Sequence, residues 1–354
     1  MCKYMRYAIE LAKKGRGFVN PNPLVGAVLV RNEEVIGEGY HKVYGGKHAE
    51  VHAIGDMKNL EGATLYVTLE PCCHYGKTPP CTELIIKSGI KNVFVSTLDP
   101  NPLVAGKGVK RLRDHGITVE VGLLESESIR MNEIFNHFIM HKTPYVIMKY
   151  AMTLDGKIST LSKDSKWITN GLSRKYVHQI RQVVSGILVG VETVISDDPF
   201  LNTRHEGKCS HPLPIVLDSR GRIPLTSRVL NSGIVATTEL MPSEVKNKLK
   251  KMGVKVIVTT SKNGHVNLNE LMIKLGEMNI DSLLVEGGGI VHGSFLREKL
   301  GHKVLAFISP KLLGEGISPI RGLELEKMDE AVKLKNIEHR FFGDDLMIAG
   351  YIER

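Results

Sequence analysis

Hydrophobic and polar positions follow two different periods along the first 122 residues. Near the start, apolar residues recur at helical spacing, which predicts an amphipathic helix. These residues are Met5, Ala8, Ile9 and Ala12. Apolar, β-branched runs over 24–30 and 34–39 flank a short polar stretch and predict a β-hairpin. Strand patterns at 63–69, 92–97 and 117–121 then alternate with helical patterns at 48–54, 82–87 and 107–114. This alternation predicts an α/β domain with a covered, largely parallel sheet.

The second half of the chain shows the same alternation after a break. A polar stretch of helical pattern, 123–143, ends before Pro144 and is interpreted as a connector. Strand patterns follow at 145–151, 186–191, 214–217, 233–237, 254–258, 282–285 and 303–308. We therefore predict two α/β domains, residues 1–122 and 144–354, joined by a helical connector over 123–143.

The composition is that of an ordinary folded protein, with 42% hydrophobic and 24% charged residues. No apolar run reaches the roughly 18 residues of a membrane span, and the first residues lack a signal-peptide pattern. We expect a cytoplasmic protein without a membrane partner. The net charge of +9 is dispersed and aromatic residues are only 6%. Nucleic-acid binding, which concentrates basic and aromatic residues, is therefore not predicted.

Three of the five cysteines lie close together, at positions 72, 73 and 81. In a chain without a secretory signal, this crowding indicates metal or catalytic chemistry instead of disulfides. One imidazole and two thiolates suit catalytic zinc, whose fourth position stays open. Helix starts predicted beside Cys72 and Cys81 should lower the pKa of both thiols. The order His-x-Glu, then Pro-Cys and Cys, is typical of zinc nucleobase deaminases. It makes His48, Cys72 and Cys81 the candidate ligands and Glu50 the candidate proton carrier.

The spacing leaves alternatives open. Eight residues separate Cys72 from Cys81, where the simple deaminase signature has two. A structural zinc site would need a fourth ligand, which His52 or Cys73 could supply, and Cys73 also competes with Cys72. The Pro71-Cys72 order favours Cys72, and Glu50 favours a catalytic site. Two alternative functions remain: a nucleic-acid deaminase with an RNA-binding second half, and a zinc-stabilised binding protein without turnover.

Several longer motifs are spread over nearly the whole chain. They are Asn20-Pro21-Asn22-Pro23-Leu24-Val25-Gly26-Ala27-Val28, the segment 68–81, Asp99-Pro100-Asn101-Pro102, Thr153-Leu154-Asp155-Gly156-Lys157-Ile158, Ser165-Lys166-Trp167-Ile168-Thr169 and Val285-Glu286-Gly287-Gly288. Together they resemble the bifunctional riboflavin-biosynthesis deaminase/reductase family. Cys73, where many relatives have Ser, and Gly289, which extends the usual glycine pair, depart from it. The resemblance implies an N-terminal cytidine-deaminase-like α/β/α domain and a C-terminal dihydrofolate-reductase-like α/β domain.

The resemblance also implies a two-step reaction on a small phosphorylated pyrimidine, carried out by a homo-oligomer. Zinc-dependent deamination of 2,5-diamino-6-(5-phosphoribosylamino)pyrimidin-4(3H)-one would precede NADPH-dependent reduction of the ribosyl group to ribityl. One zinc would bind His48, Cys72 and Cys81, beside Glu50. Substrate contacts are implied at Asn22, His74, Lys77, Asp99 and Asn101, and in the second domain at Lys149, Ser165, Arg181, Leu201, Arg204 and Glu286. NADPH contacts are implied at Ala151, Trp167, Thr193, Asp197, Ser219, Gly288, Gly289, Ile290, Val291, His292, Gly293 and Ser294.

Overall fold

The computed structural model describes residues 1–75, 79–102, 104–204 and 210–353. The chain folds as two compact units, the first spanning Met1–Lys142 and the second beginning at Thr143. Each unit has its own sheet and its own hydrophobic core. None of the helices in the described part of the chain combines the length and hydrophobicity needed to cross a bilayer.

Within the described residues of the first unit, five strands form one sheet in the order β2-β1-β3-β4-β5. The strands are β1 Gly26–Arg31, β2 Glu34–Tyr40, β3 Thr64–Val67, β4 Asn92–Val95 and β5 Thr118–Val121. The helices are α1 Cys2–Lys13, α2 Ala49–Ile54, α3 Cys81–Ser88, α4 Lys107–Arg113, α5 Glu125–Met131 and α6 Glu133–His141. The predicted parallel arrangement holds for β3, β4 and β5 only, because β1 runs antiparallel to both β2 and β3.

Both faces of this sheet are covered, which gives three layers. Successive side chains of a strand point to opposite faces. Accordingly, Ala27 and Leu29 join the core formed with α2, α3 and α4, whereas Val28 and Val30 join the core formed with α1. The helix α1 buries the face predicted from its sequence, together with Leu11. The α/β/α expectation for this unit is confirmed.

The helix α2 lies close to β2 because Gly39 has no side chain. A Cβ atom at Gly39 would stand 2.4 Å from the carbonyl oxygen of Ala49. Any other residue would therefore push the start of α2 away from the sheet. This close approach fixes the place of His48, just before the helix, and of Glu50 in its first turn.

The stretch interpreted as a connector forms α5 and α6 and packs on the first unit. Asn132, between the two helices, bonds both backbone groups of Leu24: its Oδ1 accepts the Leu24 N–H at 2.8 Å, and its Nδ2 donates to the Leu24 carbonyl at 2.9 Å. Leu123, Leu124 and Met131 pack against the core beside α1. The segment is therefore held in place by hydrogen bonds and apolar contacts, and the domain boundaries stay a prediction.

In the described part of the second unit, nine strands form a sheet in the order β10-β9-β8-β7-β13-β6-β14-β16-β15, and β11 pairs with β12. The strands are β6 Tyr145–Thr153, β7 Gly186–Gly190, β8 Leu213–Leu217, β9 Ile234–Thr237, β10 Lys255–Val258, β11 Ser261–Lys262, β12 His265–Val266, β13 Ser282–Gly287, β14 Lys303–Ser309, β15 Leu334–Phe342 and β16 Asp345–Ile352. The helices are α7 Gly171–Val183, α8 Val191–Asp197, α9 Ser243–Lys251, α10 Leu268–Glu277 and α11 Gly289–Arg297. From β10 to β14 all neighbours are parallel.

All strands predicted between 145 and 308 are present, but the terminal hairpin β15–β16 was not predicted. Along β15 only Phe342 is buried, and most of its side chains face solvent. An exposed edge strand lacks the hydrophobic alternation on which a prediction depends. The core of the unit lies against the central parallel strands, where Leu188, Ile215 and Leu283 are buried.

Candidate functional site

His48, Cys72 and Cys81 come together in the first unit. His48 precedes α2, Cys81 is the first residue of α3, and Cys72 lies in the segment after β3. His48 Nδ1 lies 3.2 Å from Cys81 Sγ and 3.6 Å from Cys72 Sγ. All three potential ligand atoms lie within 4.8 Å of one another, and no other such group was found among the described residues. One imidazole and two sulfurs at this separation match the donors that zinc takes.

The two thiols of this cluster titrate as a pair. The hydrogen bond from Cys81 lowers the pKa of Cys72 to about 4, and the backbone N–H of Cys81 donates to the same sulfur at 3.3 Å. The pKa of Cys81 is raised, first by its bond to Cys72 and then by burial. The expected lowering of the thiol pKa is therefore confirmed for Cys72 and wrong for Cys81. The N–H at the start of α3 donates to the sulfur of Cys72 and not to that of Cys81. Binding of a divalent metal would displace the remaining proton.

Glu50 lies beside the cluster without belonging to it. Its side chain is buried, with 3% of the residue exposed. Burial raises the pKa of Glu50 to about 7, and the negative charge of Cys72 adds to the rise. A carboxyl group that titrates near neutrality can both accept and donate a proton. Cys73, the competing candidate ligand, lies outside the cluster.

His41, which was not predicted, holds Asn22 next to the cluster. Its Nε2 lies 3.2 Å from Asn22 Nδ2, and its Nδ1 lies 3.1 Å from the carbonyl oxygen of Lys47. Its ring meets the ring of His48 edge-on, with the centroids 5.7 Å apart. A lone histidine between a strand and a loop carries no motif in the sequence. Only its contacts reveal a positioning role.

Asp99 and Asn101 lie in a turn that Glu70 anchors. The Glu70 carboxylate is buried and accepts three backbone N–H bonds, from Asp99 at 3.2 Å, Gly106 at 2.9 Å and Val109 at 3.0 Å. The Asp99 carboxylate in turn accepts the N–H of Asn101 at 2.8 Å. Because Glu70 stands two residues before the first cysteine of the cluster, it ties this turn to the candidate metal ligands.

The other implied contacts of the first unit are less fully defined. His74 is exposed. Burial raises the pKa of Asp99, and the charge of His74 opposes this rise. Lys77 lies outside the described residues. Contact with substrate stays a prediction for Asn22, His74, Lys77, Asp99 and Asn101.

A cavity of about 860 Å³ lies in the second unit, along the carboxyl ends of the parallel strands β6, β13, β7 and β8. This is where α/β sheets bind ligands, and the volume suits a cofactor. The predicted residues that line it are Lys149, Ala151, Ser165, Thr193, Asp197, Ser219, Glu286, Gly288, Gly289, Ile290, Val291, His292 and Ser294. Four Lys or Arg residues that were not predicted also line it: Lys163, Arg220, Arg222 and Arg321.

Glu286 is neutralised by two cations at the end of β13. Arg181 donates from Nε and Nη2 to its two carboxylate oxygens, each at 2.8 Å, and Lys149 Nζ lies 3.3 Å from Oε2. Burial alone would raise the pKa of Glu286, but Arg181 and Lys149 outweigh it and hold that pKa below its ordinary range. Arg181 also donates to the Asn202 carbonyl at 3.1 Å. Arg181 therefore holds Glu286.

The glycine-rich loop joins β13 to α11 at the cavity wall. Gly288 and Gly289 offer backbone without side chains at a helix start, where phosphate groups bind well. The buried ring of His292 has both nitrogens engaged, at 3.0 Å from the Pro319 carbonyl and 3.1 Å from the Val285 carbonyl. Its polar atoms therefore fix the loop. His292 also lines the cavity, and its contact with the cofactor stays a prediction.

Five implied residues do not line the cavity. They are Trp167, Arg181, Leu201, Arg204 and Gly293. Trp167 is 63% exposed, under the guanidinium of Arg174 at 4.5 Å. Leu201 is buried, Gly293 packs against the backbone of Arg321, and the Arg204 N–H donates to His178 Nδ1 at 3.1 Å. Ligand contact stays a prediction for these residues.

Comparison with known proteins matches both units. Residues 144–348 match the family model of the RibD C-terminal domain, and residues 1–97 match the cytidine and deoxycytidylate deaminase zinc-binding region. The riboflavin biosynthesis protein RibD of Actinobacillus pleuropneumoniae is 47% identical over 98% of this chain and 93% of its own length. The chain belongs to the RibD family. RibD of Aquifex aeolicus is 45% identical over 98% of this chain and 96% of its own length.

Solved structures of RibD-family proteins share the whole architecture. A diaminohydroxyphosphoribosylaminopyrimidine deaminase/5-amino-6-(5-phosphoribosylamino)uracil reductase from Thermotoga maritima superposes with a TM-score of 0.88 at 40% identity, covering 99% of this chain and 98% of that one. RibD of Acinetobacter baumannii gives 0.89 at 36% identity, covering 100% and 99%. This RibD-family chain is thus a bifunctional enzyme of riboflavin biosynthesis, with a deaminase domain followed by a reductase domain. The predicted family, two-domain α/β fold and pair of activities are confirmed.

Proposed function

We propose that the first unit deaminates a phosphorylated aminopyrimidine with a zinc ion held by His48, Cys72 and Cys81. The observation that carries the proposal is the cluster itself, with three donor atoms within 4.8 Å and Glu50 buried beside them. Zinc, when bound, acts as a Lewis acid that makes water a nucleophile at neutral pH. The match to a zinc-binding deaminase region supports this donor set.

Glu50 moves the protons of this reaction. It takes a proton from the water that attacks the amino-bearing ring carbon, and it delivers a proton to the amine, which leaves as ammonia. Asn22, held by His41, orients the pyrimidine. The Asp99–Asn101 turn and His74 complete the pocket, and Lys77 is proposed to bind the substrate phosphate.

The second unit binds NADPH and the deaminated pyrimidine in its cavity. NADPH, when bound, supplies the hydride that converts the ribosyl group to ribityl. The backbone at Gly288 and the start of α11 receive the cofactor phosphates. Ala151, Thr193, Asp197, Ser219 and the loop 288–294 are proposed to contact the cofactor, together with Trp167. Lys149, Ser165, Arg181, Leu201, Arg204 and Glu286 position the pyrimidine and its sugar.

The two reactions follow one another. First, 2,5-diamino-6-(5-phosphoribosylamino)pyrimidin-4(3H)-one loses ammonia at the site in the first unit, and the deaminated product is then reduced at the site in the second unit. The printed description of the Thermotoga maritima protein names this pair of activities for that protein, and its 40% identity over nearly the whole chain supports the transfer. The active form is proposed to be a homo-oligomer that acts on small molecules and not on nucleic acid.

The test uses the purified full chain and three measurements. Metal analysis is expected to find stoichiometric zinc, the diaminopyrimidine is expected to release ammonia, and NADPH is expected to be oxidised once the deaminated product is supplied. Ammonia release that survives complete zinc removal would contradict the first half. Ribosyl reduction that proceeds without any nicotinamide cofactor would contradict the second.

A further inference from the structure

One face of α7 holds the backbone of the segment 201–204 at two points. Arg181 donates from Nη1 to the Asn202 carbonyl at 3.1 Å, and His178 Nδ1 accepts the backbone N–H of Arg204, also at 3.1 Å. Residues three positions apart lie on the same face of a helix. The segment is not part of a strand or helix, so these two side chains of α7 provide much of its support.

The backbone of this segment needs support because part of it is in an unfavourable conformation. Leu201 is buried and has a φ of 50°, in the left-handed region that residues with a side chain rarely adopt. The chain is also fixed just before Leu201, where the carboxylate of Asp198 accepts the Arg228 N–H at 2.9 Å. After Leu201, the bonds to α7 complete the support.

The same arginine connects this segment to the reductase cavity. Arg181 also donates from Nε and Nη2 to the carboxylate of Glu286, which lines the cavity. The Arg204 side chain is exposed, and its guanidinium lies over the ring of Phe200, 5.4 Å from the centroid. Glu286 and Arg204 are both proposed substrate contacts. His178 therefore determines the position of one such contact through the backbone.

His178 can hold the backbone at Arg204 only while its Nδ1 carries no proton. Both nitrogens of an imidazolium ring are donors, whereas a neutral ring keeps one acceptor. Burial lowers the pKa of His178 below its ordinary value, and the charges of Arg181 and Arg204 lower it further. Glu286 and the backbone of Asn202 act in the opposite direction without reversing the shift. The ring is therefore neutral at neutral pH, and acidification removes the acceptor.

We propose that His178 is a positioning residue of the reductase, which keeps Arg204 in place to bind the deaminated, phosphorylated pyrimidine. The proposal rests on the proposed substrate of the second unit. It implies that loss of the acceptor weakens binding of this substrate and leaves binding of the cofactor unchanged, because the segment 201–204 does not line the cavity proposed for the cofactor.

The test measures binding of the deaminated pyrimidine and of NADP⁺ to the full chain by isothermal titration, for the wild type, His178→Ala and His178→Asn. At about pH 8, His178→Ala is expected to lose about fivefold in pyrimidine affinity, the scale of one hydrogen bond. His178→Asn is expected to stay within about twofold of the wild type, because the amide oxygen can replace Nδ1 as the acceptor. NADP⁺ affinity is expected to stay the same in both. Gln179→Ala, at an exposed neighbouring position of α7, is the control.

Repeating the titrations down to about pH 5, below the ordinary pKa of histidine, distinguishes positioning from a merely structural role. The pyrimidine affinity of the wild type is expected to fall relative to that of His178→Asn, because the asparagine side chain takes up no proton. Titration of the substrate phosphate affects both proteins alike and cancels in this ratio. In steady-state NADPH oxidation, the same loss should appear as a higher KM for the pyrimidine, with less change in kcat.

Each other outcome overturns a defined claim. A ratio of wild-type to His178→Asn affinity that is constant with pH would show that protonation of His178 does not release Arg204. The role also fails if folded His178→Ala weakens pyrimidine and NADP⁺ binding equally, or weakens neither. If His178→Ala does not fold, the comparison with His178→Asn still decides. If the wild type neither binds nor reduces the deaminated pyrimidine, the proposed substrate itself is wrong, which is seen without any variant.

Discussion

The deaminase cluster and the reductase cavity are built in different ways. The cluster brings a few side chains to within 4.8 Å by placing them at the starts of two helices and in one adjoining segment. The cavity, of about 860 Å³, is lined by the ends of four strands and by the loops and helices that follow them. In the first site the identities of the side chains determine the chemistry, whereas in the second the course of the backbone determines the space.

The two sites also treat a buried carboxylate in opposite ways. Glu50 is buried without a neutralising cation in contact, so burial raises its pKa to about 7. The side chain of Glu286 is also largely buried, with 8% exposed, but Arg181 and Lys149 hold its pKa below the ordinary range. The first carboxylate can exchange a proton near neutral pH, and the second keeps a fixed charge. The difference teaches that burial alone does not assign a role; the charged neighbours do.

Removal of a candidate metal ligand is expected to have the largest effect. His48→Ala, Cys72→Ala and Cys81→Ala should each lose zinc and reduce deamination on the order of 10³-fold or more, because three protein ligands leave no redundancy. Metal analysis and ammonia release measure this. Cys73→Ser is the control and should keep both. Loss of zinc in Cys73→Ser with retention in Cys72→Ser would reverse the ligand assignment.

Glu50→Gln separates the proton carrier from the ligands. The amide keeps the size of the side chain but cannot carry the proton. Zinc is expected to remain stoichiometric while deamination falls by about 10²-fold or more, the scale of general acid–base catalysis. Metal content and ammonia release are measured on the same preparation. Zinc loss in this variant would make Glu50 a ligand or a structural residue.

Arg181→Ala tests the opposite use of a buried carboxylate. It leaves Glu286 with Lys149 alone, which is expected to lower the free energy of unfolding of the second unit by about 3 kcal/mol. Because the pKa of Glu286 is depressed below its usual 4.5, the pair stabilises the fold above that pH and loses this contribution as pH falls. The difference between variant and wild type in urea unfolding should therefore shrink on acidification. A difference that is constant with pH would show that the charge pair is not its cause.

Glu70→Gln is expected to have a smaller effect, confined to substrate binding. The amide group replaces one acceptor by a donor that faces backbone N–H groups, which costs about 1–3 kcal/mol. The KM of deamination should rise about tenfold with less change in kcat, and zinc should remain. Glu83→Gln, which alters a half-buried carboxylate paired with Arg111, is the control. A fall in kcat at unchanged KM would show that Glu70 does not position the pocket.

Much of this arrangement could be predicted from the sequence, and the rest depends on contacts between distant residues. His48, Cys72 and Cys81 were predicted because few side chains bind zinc and their order is restricted. The central strands of both units were predicted because buried strands are uniformly apolar. The exposed strand β15 and the antiparallel pairing of β1 with β3 were not, because neither leaves a hydrophobic pattern.

The residues that were missed act through neighbours far away in the chain. His41 is meaningful only beside Asn22, and Glu70 only beside the backbone of the turn at Asp99. Arg220 and Arg222 flank a glycine that follows a strand, and this pattern was a signal for a loop at the edge of a binding site. In the sequence, however, a cation on a cavity wall cannot be distinguished from a surface residue. Arg181 and Glu286 were both implied as substrate contacts, and the sequence could not show that the two side chains bind each other.

The central claim is that one chain carries two chemically independent sites. The most direct test supplies already deaminated pyrimidine and NADPH to the full-length Glu50→Gln protein and follows NADPH oxidation. The account predicts oxidation at the wild-type rate from a protein that no longer releases ammonia from the diaminopyrimidine. Loss of NADPH oxidation in Glu50→Gln protein that is folded by circular dichroism and retains its zinc would contradict it.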